Sequence, residues 1–244
     1  MRLGIIDTAV SDNHPAFAGA DIEHQAFIPA GLMQPQSHGT AVAGVLVGAN
    51  NGLVPLLGNA KLLVASAFYS RDTSAPGATL MSLVNALGWL AGQRVQVINM
   101  SLAGPHNDIL QRVIASLAAK NIAIVAAVGN QGPASPPLYP AAYPGVIGVT
   151  AVDANQRIYR WANRGEQVDF AAPGVKVATV KSTGGIGHHT GTSIAAPVVS
   201  AHLACTLHAT KQNVDFALAQ LRDRAVDLGE QGRDYTFGDG LLAR

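Results

Sequence analysis

A serine sits where a glycine-bearing turn runs into an apolar stretch, in Gly191-Thr192-Ser193-Ile194-Ala195-Ala196-Pro197. If that stretch is a buried helix, its first N–H groups lack intrahelical partners and its dipole end is positive. A hydroxyl placed there can attack a carbonyl while those N–H groups stabilise the oxyanion that forms. Taken alone, the stretch also reads as a helix capped by Thr192 or Ser193. Three other segments carry what a serine nucleophile needs. Leu3-Gly4-Ile5-Ile6-Asp7-Thr8 is a short apolar run ending in a carboxylate, as at the carboxyl edge of a parallel sheet. Ser37-His38-Gly39-Thr40-Ala41-Val42-Ala43-Gly44 puts a histidine at the start of a helix of small residues. Ile124-Val125-Ala126-Ala127-Val128-Gly129-Asn130-Gln131-Gly132 is a buried strand whose end presents an amide beside two glycines. A serine hydroxyl is a poor nucleophile near neutral pH and requires a base within reach. Imidazole, with an unperturbed pKa of about 6.5, can take that proton and return it.

With Asp7, His38, Asn130 and Ser193 in this order, the chain resembles the subtilisin-like serine proteases (subtilases). The likeness continues through Ile98-Asn99-Met100-Ser101-Leu102, Ala171-Ala172-Pro173-Gly174-Val175 and Gly238-Asp239-Gly240-Leu241, and so covers nearly the whole chain. It implies a serine endopeptidase with a catalytic triad. Asp7 would orient His38 and stabilise its imidazolium, and His38 would activate Ser193. The Asn130 side chain and the Ser193 N–H would form the oxyanion hole. Thr8 is expected to donate to Asp7. The related sedolisin-like proteases carry a glutamate base and an aspartate oxyanion residue, so His38 and Asn130 favour the subtilisin type.

The same likeness implies that a peptide docks as an extended strand beside Ser101-Leu102-Ala103-Gly104. The pocket for the residue before the scissile bond would be walled by Ala127-Val128-Gly129 and Ser101-Leu102-Ala103. Leu138 falls at its floor, which predicts a shallow pocket for small or medium apolar side chains. Tyr69 to Asp72 would line the opposite side of the cleft, and His188 and His189 its rim. No cofactor is required. The family's usual calcium site is expected to be degraded, because Ala16 stands where relatives often ligate and the loop holding Asn50 and Asn51 is short. Implied partners are a peptide or protein substrate and a pro-segment or inhibitor.

These residues need rigid elements to bring them together. Hydrophobic patterning predicts strands near Leu3–Asp7, Lys61–Phe68, Val95–Ser101, Asn121–Val128 and Gly145–Val152. It predicts helices near His38–Val47, Ala78–Ala91, Asp108–Lys120, Thr192–Ala209 and Asn213–Arg224. In the third of these, Ile109, Leu110, Val113, Ile114 and Leu117 form an apolar stripe behind Asp108 as cap. Such alternation implies a three-layer α/β domain, with a mainly parallel central sheet and helices on both faces. Short strands around Phe170 to Val180 read as an antiparallel appendage. Pro197 removes a backbone donor early in the serine helix.

The 244 residues suit one domain spanning 1–244, without the family's pro-segment or N-terminal extension. Only 13% are charged and the net charge is +1, so nothing points to nucleic acid or an anionic membrane. No apolar run approaches the roughly 20 residues of a membrane span, and a monomer is expected. Cys205 is the single cysteine, which excludes an internal disulfide and suggests a small core residue. No signal peptide is recognised, so the compartment stays unassigned, although the family is most often secreted. The alternatives carried forward are a transpeptidase or macrocyclase using the same acyl-enzyme, and a catalytically silent binding domain.

Overall fold

Seven strands, most of them continuously apolar, lie side by side and all parallel in the computed structural model, which describes residues 1–50, 52–70 and 76–243. They are β1 (Arg2–Asp7), β2 (Asp21–Ala26), β3 (Lys61–Ser66), β4 (Val97–Met100), β5 (Ala123–Ala127), β6 (Val146–Val152) and β7 (Phe170–Pro173). Their order is β2-β3-β1-β4-β5-β6-β7, which places β1 between β3 and β4. Parallel strands need long connections, and three of them carry helices: α1 (Ser37–Val47) between β2 and β3, α2 (Leu80–Gly92) between β3 and β4, and α3 (Asp108–Ala118) between β4 and β5, while α4 (Thr192–Thr210) and α5 (Val214–Arg224) follow β7. A separate antiparallel pair, β8 (Val177–Val180) and β9 (Ile186–His189), leads into α4.

Side chains alternate across a strand, so a sheet covered on both faces buries every position. Leu3, Ile5, Val97, Val125 and Val149 pack with α1 and α4 in one core. Ile6, Ile98, Met100, Ile124 and Ala126 pack with α2 and α3 in the other. The same period-two rule decides which face receives the polar residues. Asp7 follows Leu3 and Ile5, and Asn99 and Ser101 follow Val97, so all three belong to the α1/α4 face. This is the three-layer α/β architecture expected from the sequence.

Several local expectations change. Phe170–Pro173 joins the main sheet as a parallel strand beside β6, and only Val177–Val180 belongs to the antiparallel pair. The edge strand β2 was not foreseen; its Asp21, Glu23 and Gln25 give it no apolar alternation. Asn107, not Asp108, caps α3, its side chain accepting from the N–H groups of Ile109 and Leu110. Asp108 occupies the first turn, where its charge suits the dipole, and Ile109 points outward. Cys205 is exposed rather than in the core.

Candidate active site

Asp7 ends β1 and is 3% exposed, so its carboxylate needs partners. It finds them in the Thr8 N–H, at 2.7 Å, and in His38. The imidazole Nδ1 lies 2.8 and 2.9 Å from the two carboxylate oxygens. An ionised carboxylate can only accept, so Nδ1 carries the proton and Nε2 offers its lone pair. That lone pair faces Ser193 Oγ at 3.0 Å. Three residues spread over the chain are thus joined in one hydrogen-bonded line.

The geometry around that line comes from close backbone packing. His38 stands at the second position of α1, and the next residue must approach the end of β1 closely. A Cβ at Gly39 would overlap the Thr8 carbonyl and stand 2.7 Å from the Ala9 carbonyl oxygen. The Gly39 N–H instead donates to Thr8 Oγ1 at 2.8 Å. Thr8 therefore serves Asp7 through its backbone N–H, while its hydroxyl donates to the Ala9 carbonyl rather than to the carboxylate. The Asp7 charge holds the His38 pKa above the ordinary imidazole value, more strongly than burial lowers it. His189, at the end of β9, is shifted the other way, by burial and then by the charge of His38.

Ser193 is the second residue of α4, whose N-cap is Gly191 with no capping side chain. Gly191 has φ +154°, and a Cβ there would lie 3.2 Å from Ser193 Oγ and 3.3 Å from Asn130 Nδ2. The glycine keeps open the space between hydroxyl and amide. The Asn130 amide is held by its oxygen: Oδ1 accepts from the Thr192 N–H at 3.0 Å and the Thr192 hydroxyl at 3.1 Å. Thr192 Oγ1 also accepts from the Gly129 N–H. Among the described residues, Asn130 Nδ2 and the Ser193 N–H have no partner, which leaves two donors beside the hydroxyl.

Sequence reading missed Asn163, which is fully buried beside this loop. Its N–H donates to the Gly129 carbonyl at 3.1 Å, and its Oδ1 accepts from the Gln131 N–H at 2.8 Å. It thereby clamps the backbone on both sides of Asn130. The only available signal was an asparagine just before Arg164-Gly165, a pattern that usually marks a turn.

Of the expected peptide-binding residues, Ser101, Leu102 and Ala103 line a cleft beside His38. Asp7, Thr8, His38, Phe68, Pro76, Ser101, Leu102 and Ala103 line a cleft of about 240 Å³. The exposed Ala103 keeps its backbone N–H and C=O free of partners among the described residues. Gly104 does not, because it exchanges both bonds with Tyr139, at 2.8 and 2.9 Å. The Ser101 side chain is turned inward to the Ser193 carbonyl. Ala127, Val128 and Gly129 are buried wall residues. Leu138 packs directly on Gly129, its Cδ1 2.7 Å from where a Cβ would stand. Tyr69 is buried, pairs its backbone with Gly77 and is not among the residues lining that cleft, whereas Arg71 and Asp72 fall outside the described residues.

Ala16 is wholly buried among apolar neighbours, and the Asn50 side chain donates to the Pro15 carbonyl at 3.4 Å. Asn51 lies outside the described residues. Among the described residues no three His, Cys, Asp or Glu side chains gather as a metal site, and no helix is long and apolar enough to cross a membrane.

The chain is similar to several known proteins. Subtilisin E of Bacillus subtilis (strain 168) is 31% identical over 255 residues, covering 99% of this chain and 64% of that protein. Subtilisin of Bacillus pumilus is 33% identical over 256 residues, covering 99% and 88%. The chain thus spans about two-thirds or less of several curated relatives' length, 64% for subtilisin E. Among solved structures, patellamide maturation protease PatA is 25% identical with a TM-score of 0.81, covering 99% of this chain and 93% of that one. A lanthipeptide protease, 19% identical with a TM-score of 0.83 over 99% and 85%, shares the fold. The model of the subtilase family matches residues 1–240, and the chain belongs to that family.

Proposed function

We propose that this chain is a serine endopeptidase that hydrolyses peptide bonds through an acyl-enzyme on Ser193. The observation that carries the reading is the line from Asp7 through His38 to Ser193, with contacts of 2.8 and 3.0 Å. His38 Nε2 takes the hydroxyl proton as Oγ attacks the scissile carbonyl, then passes it to the departing amine. Asp7 keeps the imidazole in the tautomer that can do this and stabilises its charged form. Asn130 Nδ2 and the Ser193 N–H meet the oxyanion. Water, deprotonated by the same imidazole, releases the acyl group. No metal or cofactor enters any of these steps.

The substrate is read as an extended stretch of peptide or protein, paired with the free backbone groups of Ala103. PatA, a structural relative, is called a maturation protease, and a precursor peptide with an accessible linker is the substrate class proposed here. Leu138 against Gly129 supports a shallow pocket before the scissile bond. In otherwise identical peptides, cleavage after Ala or Leu should exceed cleavage after Phe, and a clear Phe preference would refute the shallow pocket. The chain is expected to act as a monomer without nucleic acid.

A fluorophosphonate probe should label the protein, and Ser193→Ala should abolish both labelling and hydrolysis. Deleting a subtilisin nucleophile costs about 10⁶ in turnover. Absence of labelling in the parent chain would favour a silent binding domain. Amide-bond formation with an added amine, in place of hydrolysis, would favour a transpeptidase.

A further inference from the structure

Pro197 lies five residues into α4 from Thr192 and has no N–H. In an unbroken helix, residue 197 would donate to the carbonyl of residue 193. The carbonyl left without its donor therefore belongs to Ser193 itself. An unpaired carbonyl in a buried helix costs free energy and leaves the local backbone free to tilt. In this chain the place of the missing donor is taken by Ser101 Oγ, 2.6 Å from the Ser193 carbonyl oxygen.

The proton on Ser101 is committed in that direction by its neighbours. Asn99 Nδ2 donates to Ser101 Oγ at 2.9 Å, so the hydroxyl accepts there and donates to the carbonyl. Asn99 Oδ1 in turn accepts from Ser200 Oγ at 3.0 Å, about two helical turns beyond Ser193 along α4. Ser200 shares that proton with the Ala196 carbonyl, also at 3.0 Å. Asn99 and Ser200 are fully buried and Ser101 is 6% exposed. The chain of donors runs one way, from Ser200 through Asn99 and Ser101 to the Ser193 carbonyl, and such a chain strengthens its own members.

We propose that Ser101, oriented by Asn99 and Ser200, is a positioning residue that fixes the nucleophile's backbone in place of the donor Pro197 lacks. It also ties Ser193 to the strand end that carries Ala103, so hydroxyl and docked peptide share one anchor. The hydroxyl of Ser101 acts through Ser193 and does not touch substrate. This inference rests on Ser193 being the nucleophile, which labelling of the parent chain tests separately.

The replaced donor makes a rescue experiment available. Hydrolysis of succinyl-Ala-Ala-Pro-Leu p-nitroanilide and the rate of fluorophosphonate labelling would be measured for four proteins: parent, Ser101→Ala, Pro197→Ala and the double variant. Ser101→Ala should lower kcat about tenfold or more, the scale of a lost buried hydrogen bond, with KM nearly unchanged. Pro197→Ala restores an N–H four residues after Ser193, so alone it should change kcat little. In the double variant kcat should return to within about threefold of the parent, since the new amide supplies the bond directly. Pro197→Ala added to Asn130→Ala should restore nothing. A Ser101→Ala protein with parental kcat, a double variant as slow as Ser101→Ala, or equal rescue of Asn130→Ala would each overturn the proposal. Thermal melting of every variant separates a misfolded protein from a misaligned one, and Ser101→Thr, which keeps a hydroxyl, should retain more activity than Ser101→Ala.

Discussion

Helices α3 and α4 are built by opposite means. The ends and buried face of α3 are set locally: Asn107 caps it, Asp108 complements its dipole, and Leu110, Ile114 and Leu117 repeat along one side. None of that holds for α4. It is buried on nearly every side, its N-cap is a glycine with no side chain, and a proline interrupts its ladder. What its first turn lacks is supplied from elsewhere in the chain, by Asn130 at the Thr192 N–H and by Ser101 at the Ser193 carbonyl. A helix that satisfied its own ends would have no free donor to offer a substrate. The one that depends on distant residues is the one with unpartnered groups at its N-terminus.

This contrast predicts that changes at α4 act on chemistry and changes at α3 on stability. The largest effect outside the proposed triad should come from Asn130→Ala, which would remove one of the two proposed oxyanion donors. Turnover should fall about 10²–10³-fold, a scale established in subtilisin, while the melting temperature barely moves. A fall of less than about threefold would show that Asn130 Nδ2 does not meet the oxyanion. At the other helix, Asn107→Ala should cost about 1 kcal/mol of stability by denaturant titration, with kcat and KM unchanged. If it altered kcat instead, the division between the two helices would be wrong.

The same contrast explains what could be read from the sequence. Asp7, His38, Asn130 and Ser193 each sit in a local motif, so they can be singled out without any knowledge of the fold. Strands β1, β3, β4, β5 and β6 are legible because a doubly covered parallel strand is apolar throughout. Strand β2 escapes because an edge position tolerates Asp21, Glu23 and Gln25, and it is held by pairing with β3. Cys205 was misplaced because α4 has almost no polar face from which to read an orientation. Asn163 and the inward turn of Ser101 were illegible for another reason. Their partners lie 32 and 92 residues away, and only the folded sheet brings them together.

The raised pKa of His38 connects stability and catalysis with opposite signs. The charged pair with Asp7 adds stability that is complete below the unfolded imidazole value of about 6.5 and is lost as pH rises through the higher folded value. Activity moves the other way, because only neutral His38 can accept the hydroxyl proton. Asp7→Asn should therefore remove the acid-side stability and shift the activity limb to lower pH, while lowering kcat by about 10⁴.

The most direct test is the rate of fluorophosphonate labelling at Ser193 as a function of pH, in the parent and in His38→Ala. The rate should climb along a single ionisation centred above about 6.5, and it should fall to near background without the imidazole. A rate that ignored pH, or that survived His38→Ala unchanged, would mean that the 3.0 Å contact between imidazole and hydroxyl does not activate the serine.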